Sequence, residues 1–393
     1  MKNILWKSGS LQMGGSEKAL IEILKNINLS KIKINLLIDN NYEEKNIFEK
    51  DIPKEINYYF LKPKKLINIL DFCQKKKKNF FYKILYNIML VMEKIVITHN
   101  MKRIIKKIGK VDVLIDYDAG ATKYIKKFKG INKKIVWIHS SILNSKKKKL
   151  KISRFGKRLS HYDNIVVICD EMFEETKKIY PFLEKKLVRI YNSFNFDEIL
   201  SKSKNENILS KKEKKLIKEK YILAVSRLDM ESKDYKTLLE SFYNLNEPTY
   251  KLYIIGDGPD KEKIENLIKQ YNLGNKVYLL GKKQDPYTWM KKCQFFVHSS
   301  KYEGFGLVIL EALILKKAVI SSNCKVGPSE ILSYGKYGEL FNVGDCKALT
   351  QKMRLFIENK TLREKYENLS KEAIERFNTK KIMKEIEKLL LEG

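Results

Sequence analysis

Apolar and polar positions along this chain alternate between two kinds of pattern. Short apolar, β-branched runs at 3–7, 33–39, 111–117, 134–139, 164–169 and 187–192 predict strands buried on both faces, as in a parallel sheet covered by helices. After the first run, Ser16 and Glu17 open a stretch whose apolar residues (Ala19, Leu20, Ile23, Leu24, Ile27) recur with the helical period, so a capped helix follows the first strand. A second series of strands is expected at YILAVSRL (221–228), YKLYIIGDG (250–258), KVYLLGK (276–282), CQFFVHS (293–299) and KAVISSN (317–323), with amphipathic helices between them. The two series are separated by SKSKNENILSKKEKKLIKEK (201–220), which is polar and unpatterned and reads as an interdomain linker. The expected organisation is α/β throughout: one Rossmann-like doubly wound domain over 1–200, a linker at 201–220, a second such domain over 221–375, and a last helix over 376–393.

One segment departs from this alternation. Residues 62–110 carry Lys75-Lys76-Lys77-Lys78, then NFFYKILYNIMLVMEKIVI, then Lys102-Arg103 and Lys106-Lys107. Lys83, Glu93 and Lys94 interrupt the apolar run, which argues against a spanning helix and for an interfacial helix pair; a buried crossover helix with solvated lysines is the plainer alternative. The net charge of the chain is +32, and residues 51–160 hold 29 Lys and Arg against 7 Asp and Glu. A second tetralysine run, Lys146–Lys149, falls in the same region. Charge concentrated in this way points to an acidic partner: an anionic membrane surface, a phosphorylated acceptor or nucleic acid. Nucleic acid is disfavoured, because no zinc, helix-turn-helix or RNA-recognition signature is present and no aromatic platform interleaves the lysines.

The candidate chemistry collects at predicted strand ends, where open α/β sheets bind ligands. Glu303-Gly304-Phe305-Gly306-Leu307-Val308-Ile309-Leu310-Glu311 follows the strand at 293–298 and opens an apolar helix. A glycine-bearing turn into a helix leaves backbone amides of Gly306, Leu307 and Val308 aimed at an anion. Glu303 and Glu311 flank these amides and suit sugar hydroxyls, so the stretch fits a nucleotide-sugar; taken alone, two glutamates at this spacing are better read as a surface-loop residue and a helix-face residue. Arg227 and Lys233 bracket the loop after the strand at 221–228 and suit a diphosphate. The Gly256–Pro259 turn and Lys282 end the next two strands. In the first domain, Gly14-Gly15 allow close approach to the backbone, and His139 ends the strand KIVWIH, a position open equally to a ligand contact and to a histidine bonded into its loop. Asp116-Tyr117-Asp118 has the spacing of a metal-binding pair of aspartates but no supporting features.

The five cysteines are scattered and include no C-x-x-C pair, and the N-terminal stretch has no apolar core with a cleavage pattern; a reducing, cytoplasmic setting is expected, with neither disulfide framework nor zinc site. A dehydrogenase or epimerase would need G-x-G-x-x-G with an acidic residue about twenty positions on, and Gly9, Gly14 and Gly15 do not fit that spacing.

Taken in order, MGGSEKAL, WIHS, RIYNSFNFDEI, YILAVSRLDMESKDYKTLLESF, IIGDGPDKEKIENLI, VYLLGKKQDPYTWMKKCQFFVHSSKYEGFGLVILEAL and GPSEIL resemble glycosyltransferase family 4, retaining enzymes of the GT-B architecture. The resemblance covers almost all of the second domain and only the loops of the first. It implies two Rossmann-like domains facing a cleft, a last helix over 376–393 that crosses back to the first domain, and a nucleotide-sugar donor, UDP-sugar before GDP-sugar, held mostly by the second domain. It implies Arg227 and Lys233 on the diphosphate, Glu303 on the hydroxyls of the transferred sugar, Glu311 on the ribose, Lys282 near the base, and Gly15 over the phosphate. His139 matches a histidine beside the reacting sugar, with Ser140 in place of the family's usual acidic or amide neighbour. The resemblance further implies no metal or other cofactor, since cations and amides carry the phosphate charge. The acceptor expected is a glycan or lipid-linked molecule, reached by an enzyme peripheral on the inner face of the cell membrane.

Overall fold

Ile4, Leu5 and Trp6 of the first strand are wholly buried, as are Tyr221, Ile222 and Leu223 of the eighth, because each is a central strand with helices on both sides of its sheet. The computed structural model describes residues 1–146 and 148–392, so Lys147 of the second tetralysine run lies outside the described residues. The chain forms two units, one of Met1–Phe194 joined by the C-terminal stretch from Thr379, the other of Asn195–Asn378.

Among the described residues the first unit holds seven strands: β1 (Lys2–Ser8), β2 (Ile32–Ile38), β3 (Asn57–Phe60), β4 (Val113–Asp116), β5 (Lys133–Ile138), β6 (Asn164–Val167) and β7 (Leu187–Arg189). They form one parallel sheet in the order β3-β2-β1-β4-β5-β6-β7. The second unit holds β8 (Tyr221–Val225), β9 (Lys251–Ile255), β10 (Val277–Leu279), β11 (Phe295–His298), β12 (Val319–Ser322) and β13 (Glu339–Phe341), parallel in the order β10-β9-β8-β11-β12-β13. In each sheet the strand order reverses once, between β1 and β4 and between β8 and β11. Loops leaving the carboxyl ends of those strands diverge and open a crevice. The edge strands β3 and β13 carry polar or partly exposed residues, Asn57 and Tyr58 in one and Glu339 in the other, and so lack the apolar run that marks the inner strands.

Helix α1 (Gly15–Asn26) follows β1 and buries Ala19, Leu20, Ile23 and Leu24. Between β3 and β4 stand α2 (Lys64–Lys75) and the long α3 (Phe80–Ile108), begun by Asn79, whose side chain accepts from Phe81 N. Only Ile97, Thr98, Met101 and Ile104 of α3 are buried. No helix among the described residues is long and apolar enough to cross a membrane. The helix Thr379–Leu391 belongs to the first unit: Ile382, Met383, Ile386 and Leu390 are buried, Lys2 Nζ donates to Leu391 O at 2.7 Å, and Lys133 Nζ donates to Leu389 O at 2.8 Å.

The linker expected at 201–220 is instead part of the second unit. Helices Phe196–Lys202 and Lys211–Leu216 form there, the second opened by a Ser210–Glu213 capping box. Leu209 and Ile217 are buried, Thr288 Oγ1 donates to Asn205 O at 3.1 Å, and Lys283 pairs with Glu213 at 2.6 Å. The polar composition that reads as a tether is used here for ion pairs to the unit's own surface.

Candidate active site

In the second unit the sheet order sets four loops side by side, those after β10, β9, β8 and β11. They carry Lys282, the Gly256–Pro259 turn, Arg227 with Lys233, and Glu303. Backbone hydrogen bonds tie each loop to the next: Gly256 N donates to Gly281 O (3.0 Å), Leu228 N to Asp257 O (3.0 Å), Asp234 N to Ser299 O (3.1 Å) and Lys301 N to Ser232 O (2.8 Å). Gly256, at φ +154°, lies against the β8 loop so closely that a Cβ there would stand 1.9 Å from Ser226 O.

This lacing brings Lys233 onto Glu303. Three donors meet one oxygen, Glu303 Oε1: Lys233 Nζ, Ser300 Oγ at 2.7 Å and His298 Nε2 at 2.9 Å. The second carboxylate oxygen, Oε2, takes no hydrogen bond from the described residues. Burial works against the charge on Glu303, yet Lys233 and His298 hold its carboxyl well below the usual range. His298 is 2 % exposed, and burial lowers its pKa against the pull of Glu303, so it stands as a neutral ring donating through Nε2–H. The side chains of Lys233 and Glu303 are 13 % and 12 % exposed, enough for a ligand to reach them.

Gly306, at φ +90°, caps the helix Leu307–Ile314 without a side-chain hydrogen bond, and Leu307 and Val308 begin it half-buried. The preceding turn is fixed from behind: Gly327, at φ +101°, packs so tightly that a Cβ there would lie 1.9 Å from Phe305 O. Glu311 lies about one turn into this helix; it is buried, with Tyr287 Oη donating to its Oε1 at 3.4 Å. Arg227 and Lys282 are exposed, and neither side chain makes a hydrogen bond or ion pair with a described residue.

In the first unit, Gly15 is exposed at the start of α1, where Ser10 Oγ and Ser16 Oγ each donate to Glu17 at 2.9 Å, setting that carboxylate at the helix N-terminus. His139 leaves β5 against the ring of Tyr117, centroids 4.4 Å apart. Burial pushes its pKa down to about 4, and neither ring nitrogen makes a hydrogen bond of normal geometry with a described residue. Asp116, wholly buried, and Asp118, whose side chain is 33 % exposed, are both committed to a cluster around Lys7, whose own side chain is wholly inaccessible. Lys7 Nζ lies 2.9 Å from Asp39, 3.1 Å from Asp118 and 3.8 Å from Asp116. Tyr162 Oη donates to Asp116 at 2.6 Å and Ala121 N at 3.0 Å. Burial opposes the Lys7 charge, but its three carboxylates hold the pKa well above the ordinary value; burial pushes Asp116 up to about 7. An ammonium already occupies the space between these carboxylates, which is the physical argument against a metal reading of Asp116 and Asp118.

The sequence pattern does not reveal His298, Ser300 or Lys7 as parts of these clusters. Their signal is positional: His298 and Lys7 stand at or next to the last residue of apolar strands, where a polar side chain has no reason to be unless it meets a partner.

Residues 205–376 match the family described as glycosyl transferases group 1. Over 295 residues the chain is 32 % identical to an uncharacterised glycosyltransferase of Methanocaldococcus jannaschii, covering 66 % of this chain and 71 % of that protein. It is also 32 % identical, over 218 residues, to the N-acetylgalactosamine-N,N'-diacetylbacillosaminyl-diphospho-undecaprenol 4-alpha-N-acetylgalactosaminyltransferase of Campylobacter jejuni, covering 56 % of this chain and 57 % of that one. The solved structure of Anabaena HepE in complex with UDP superposes with a TM-score of 0.76 at 18 % identity over the whole of both chains. The chain therefore belongs to the group 1 glycosyl transferases, a transferase family, and its fold is of the GT-B class.

Proposed function

We propose that this protein moves a sugar from a nucleotide-sugar, UDP-sugar before GDP-sugar, to a glycan or lipid-linked acceptor of surface polysaccharide or glycoconjugate synthesis. Transfer retains configuration at the anomeric carbon and needs no metal. The observation that carries this reading is Glu303, ionised and held by three donors on one oxygen while the other stays open to accept from sugar hydroxyls. Arg227, exposed and unpaired, is the first cation available to a diphosphate. Lys233 follows by exchanging Glu303 for phosphate, and the amides at Gly306, Leu307 and Val308 add to the electrostatic stabilisation of the leaving group. Glu311 and Lys282 are assigned to ribose and base. His139 and Gly15 keep, as part of the proposal, the sugar and phosphate contacts that the resemblance implies. The acceptor reading is supported by the Campylobacter jejuni relative, whose name specifies a diphospho-undecaprenol acceptor, and a peripheral position on the inner face of the cell membrane is proposed with it.

The test is a thermal-shift and turnover screen over UDP-, GDP- and ADP-sugars and NAD, with and without EDTA. UDP or GDP is expected to stabilise the protein, and donor turnover to persist in EDTA. Hydrogen bonds to charged groups contribute roughly 1.5–3 kcal/mol, so Arg227→Ala and Lys233→Ala should each lower kcat/KM by about tenfold or more. Stabilisation by NAD alone, or full loss of turnover in EDTA restored by manganese, overturns the reading.

A further inference from the structure

The outward side of α3 carries a stripe whose chemistry changes along the helix. Phe80, Ile84, Ile88, Val91 and Ile95 recur at steps of three and four, the spacing of one helical face. All five are exposed, Phe80 at 77 % and Val91 at 59 %, and Phe81 and Met92 widen the stripe. It runs for about 22 Å at 1.5 Å per residue, a contiguous apolar surface larger than a protein in water normally leaves uncovered. The same steps then continue through His99, Lys102 and Lys106, all exposed. At the other end the exposed Lys75, Lys76, Lys77 and Lys78 close the stripe. The face is thus apolar in the middle and cationic at both ends; of the helix's buried residues Thr98 stands at the margin of this face, while Ile97, Met101 and Ile104 project from a different side.

We propose that this face of α3 is the surface by which the protein lies on an anionic lipid bilayer. The helix axis runs parallel to the membrane plane, with the apolar stripe among the upper acyl chains and a basic cluster on headgroup phosphates at each end. Charge decides between the possible occupants. A second copy docked along the stripe sets lysines against lysines whether the two helices run parallel or antiparallel, because both ends carry the same sign. An anionic headgroup layer complements both ends at once. Insertion by one end is disfavoured for the same reason, since either end would carry its lysines into the acyl layer. The proposal deepens the reading of a lipid-linked acceptor and rests on it only for what the bilayer presents; the docking face itself is argued without it.

The experiment is co-sedimentation of the full chain with vesicles of phosphatidylglycerol and phosphatidylcholine, against phosphatidylcholine alone. Binding is expected only to the anionic vesicles, and weakened by half-molar salt. The triple variant Ile84→Ser, Ile88→Ser, Val91→Ser and the double variant Lys102→Ser, Lys106→Ser should each lower the partition coefficient by about tenfold or more, with donor hydrolysis unchanged. Nitroxides on Ile84→Cys and Ile95→Cys should report equal depth. The idea fails if wild-type protein stays in the supernatant at low salt, if the triple variant binds as well as wild type, or if depth rises steadily from one end of α3 to the other. It fails equally if the stripe proves to hold a dimer that the triple variant dissociates while vesicles bind neither form. Vesicle binding by a protein that hydrolyses no nucleotide-sugar would sink the transferase reading and leave the docking face standing.

Discussion

Glu303 and Lys7 solve the same problem with opposite charges. Each is an ionised side chain near the carboxyl end of a buried strand, and each survives burial because several partners converge on it. At Glu303 the partners leave one oxygen with no hydrogen bond from the described residues, able to accept from a ligand; at Lys7 three carboxylates surround the ammonium, which makes a fixture. Lys7→Met would strand Asp39, Asp116 and Asp118 without their cation. Removing one partner of a buried pair costs about 3–5 kcal/mol, so urea denaturation should show a loss of that order; a loss below about 1 kcal/mol would mean the cluster is hydrated and unimportant to folding. His139 gives a prediction in pH. Its folded pKa, about 4, lies below its unfolded value of about 6.5. Its neutral form is the folded form, so its contribution to stability is complete above about pH 6.5 and is lost as pH falls toward 4. The stability of wild type relative to His139→Phe should decline across that window, and the imidazole resonance should not titrate above about pH 5. A resonance that titrates near 6.5 would show a solvated ring.

At the scale of elements, the turn that presents Glu303 is held by a glycine far away in sequence. Gly327 combines φ +101° with a Cβ position 1.9 Å from Phe305 O, whereas Gly335 has φ +102° and nothing within 4 Å. Positive φ in a residue with a side chain costs about 1–3 kcal/mol. Gly335→Ala should show that strain alone. Gly327→Ala should lose clearly more, and should also weaken the stabilisation by UDP that the proposed function expects, because Phe305 cannot stay where it is. Equal losses in urea denaturation would show that the Gly327–Phe305 contact is not decisive. The regular alternation of strand and helix around this turn is legible in the sequence because burial on both faces writes an apolar run into each inner strand. Edge strands β3 and β13 are illegible because each is short and carries a polar residue, Asn57 in one and Glu339 in the other, that interrupts the apolar run.

For the whole molecule the decisive fact is that the second unit is one continuous segment, while the first is completed from the far end of the chain. The helix Thr379–Leu391 buries four apolar side chains in the first unit, each worth roughly 1.5–3 kcal/mol. That sum is comparable to the stability of a whole domain, about 5–15 kcal/mol. A chain ending at Asn378 should therefore lose the thermal transition of its first unit, or show it at much lower temperature, while the transition of 195–378 stays. Calorimetry that finds both transitions unmoved would contradict the assignment of this helix.

What the sequence by itself determined were the features written in short windows. Strand and helix periods, two series of βα repeats, and candidate residues set at strand ends all follow from local burial patterns. The amphipathic promise of 62–110 is of the same kind, since charge and apolar spacing are one-dimensional properties. Only the tertiary structure decided which charges meet. That His298 and Ser300 share one oxygen of Glu303 with Lys233, that Lys7 gathers aspartates from two other strand ends, and that 201–220 is bound to the second unit are all relations between residues distant along the chain. Periodicity reports whether a position is buried; it does not report what is buried opposite, and for an ionised side chain the opposite partner determines both its charge and its use.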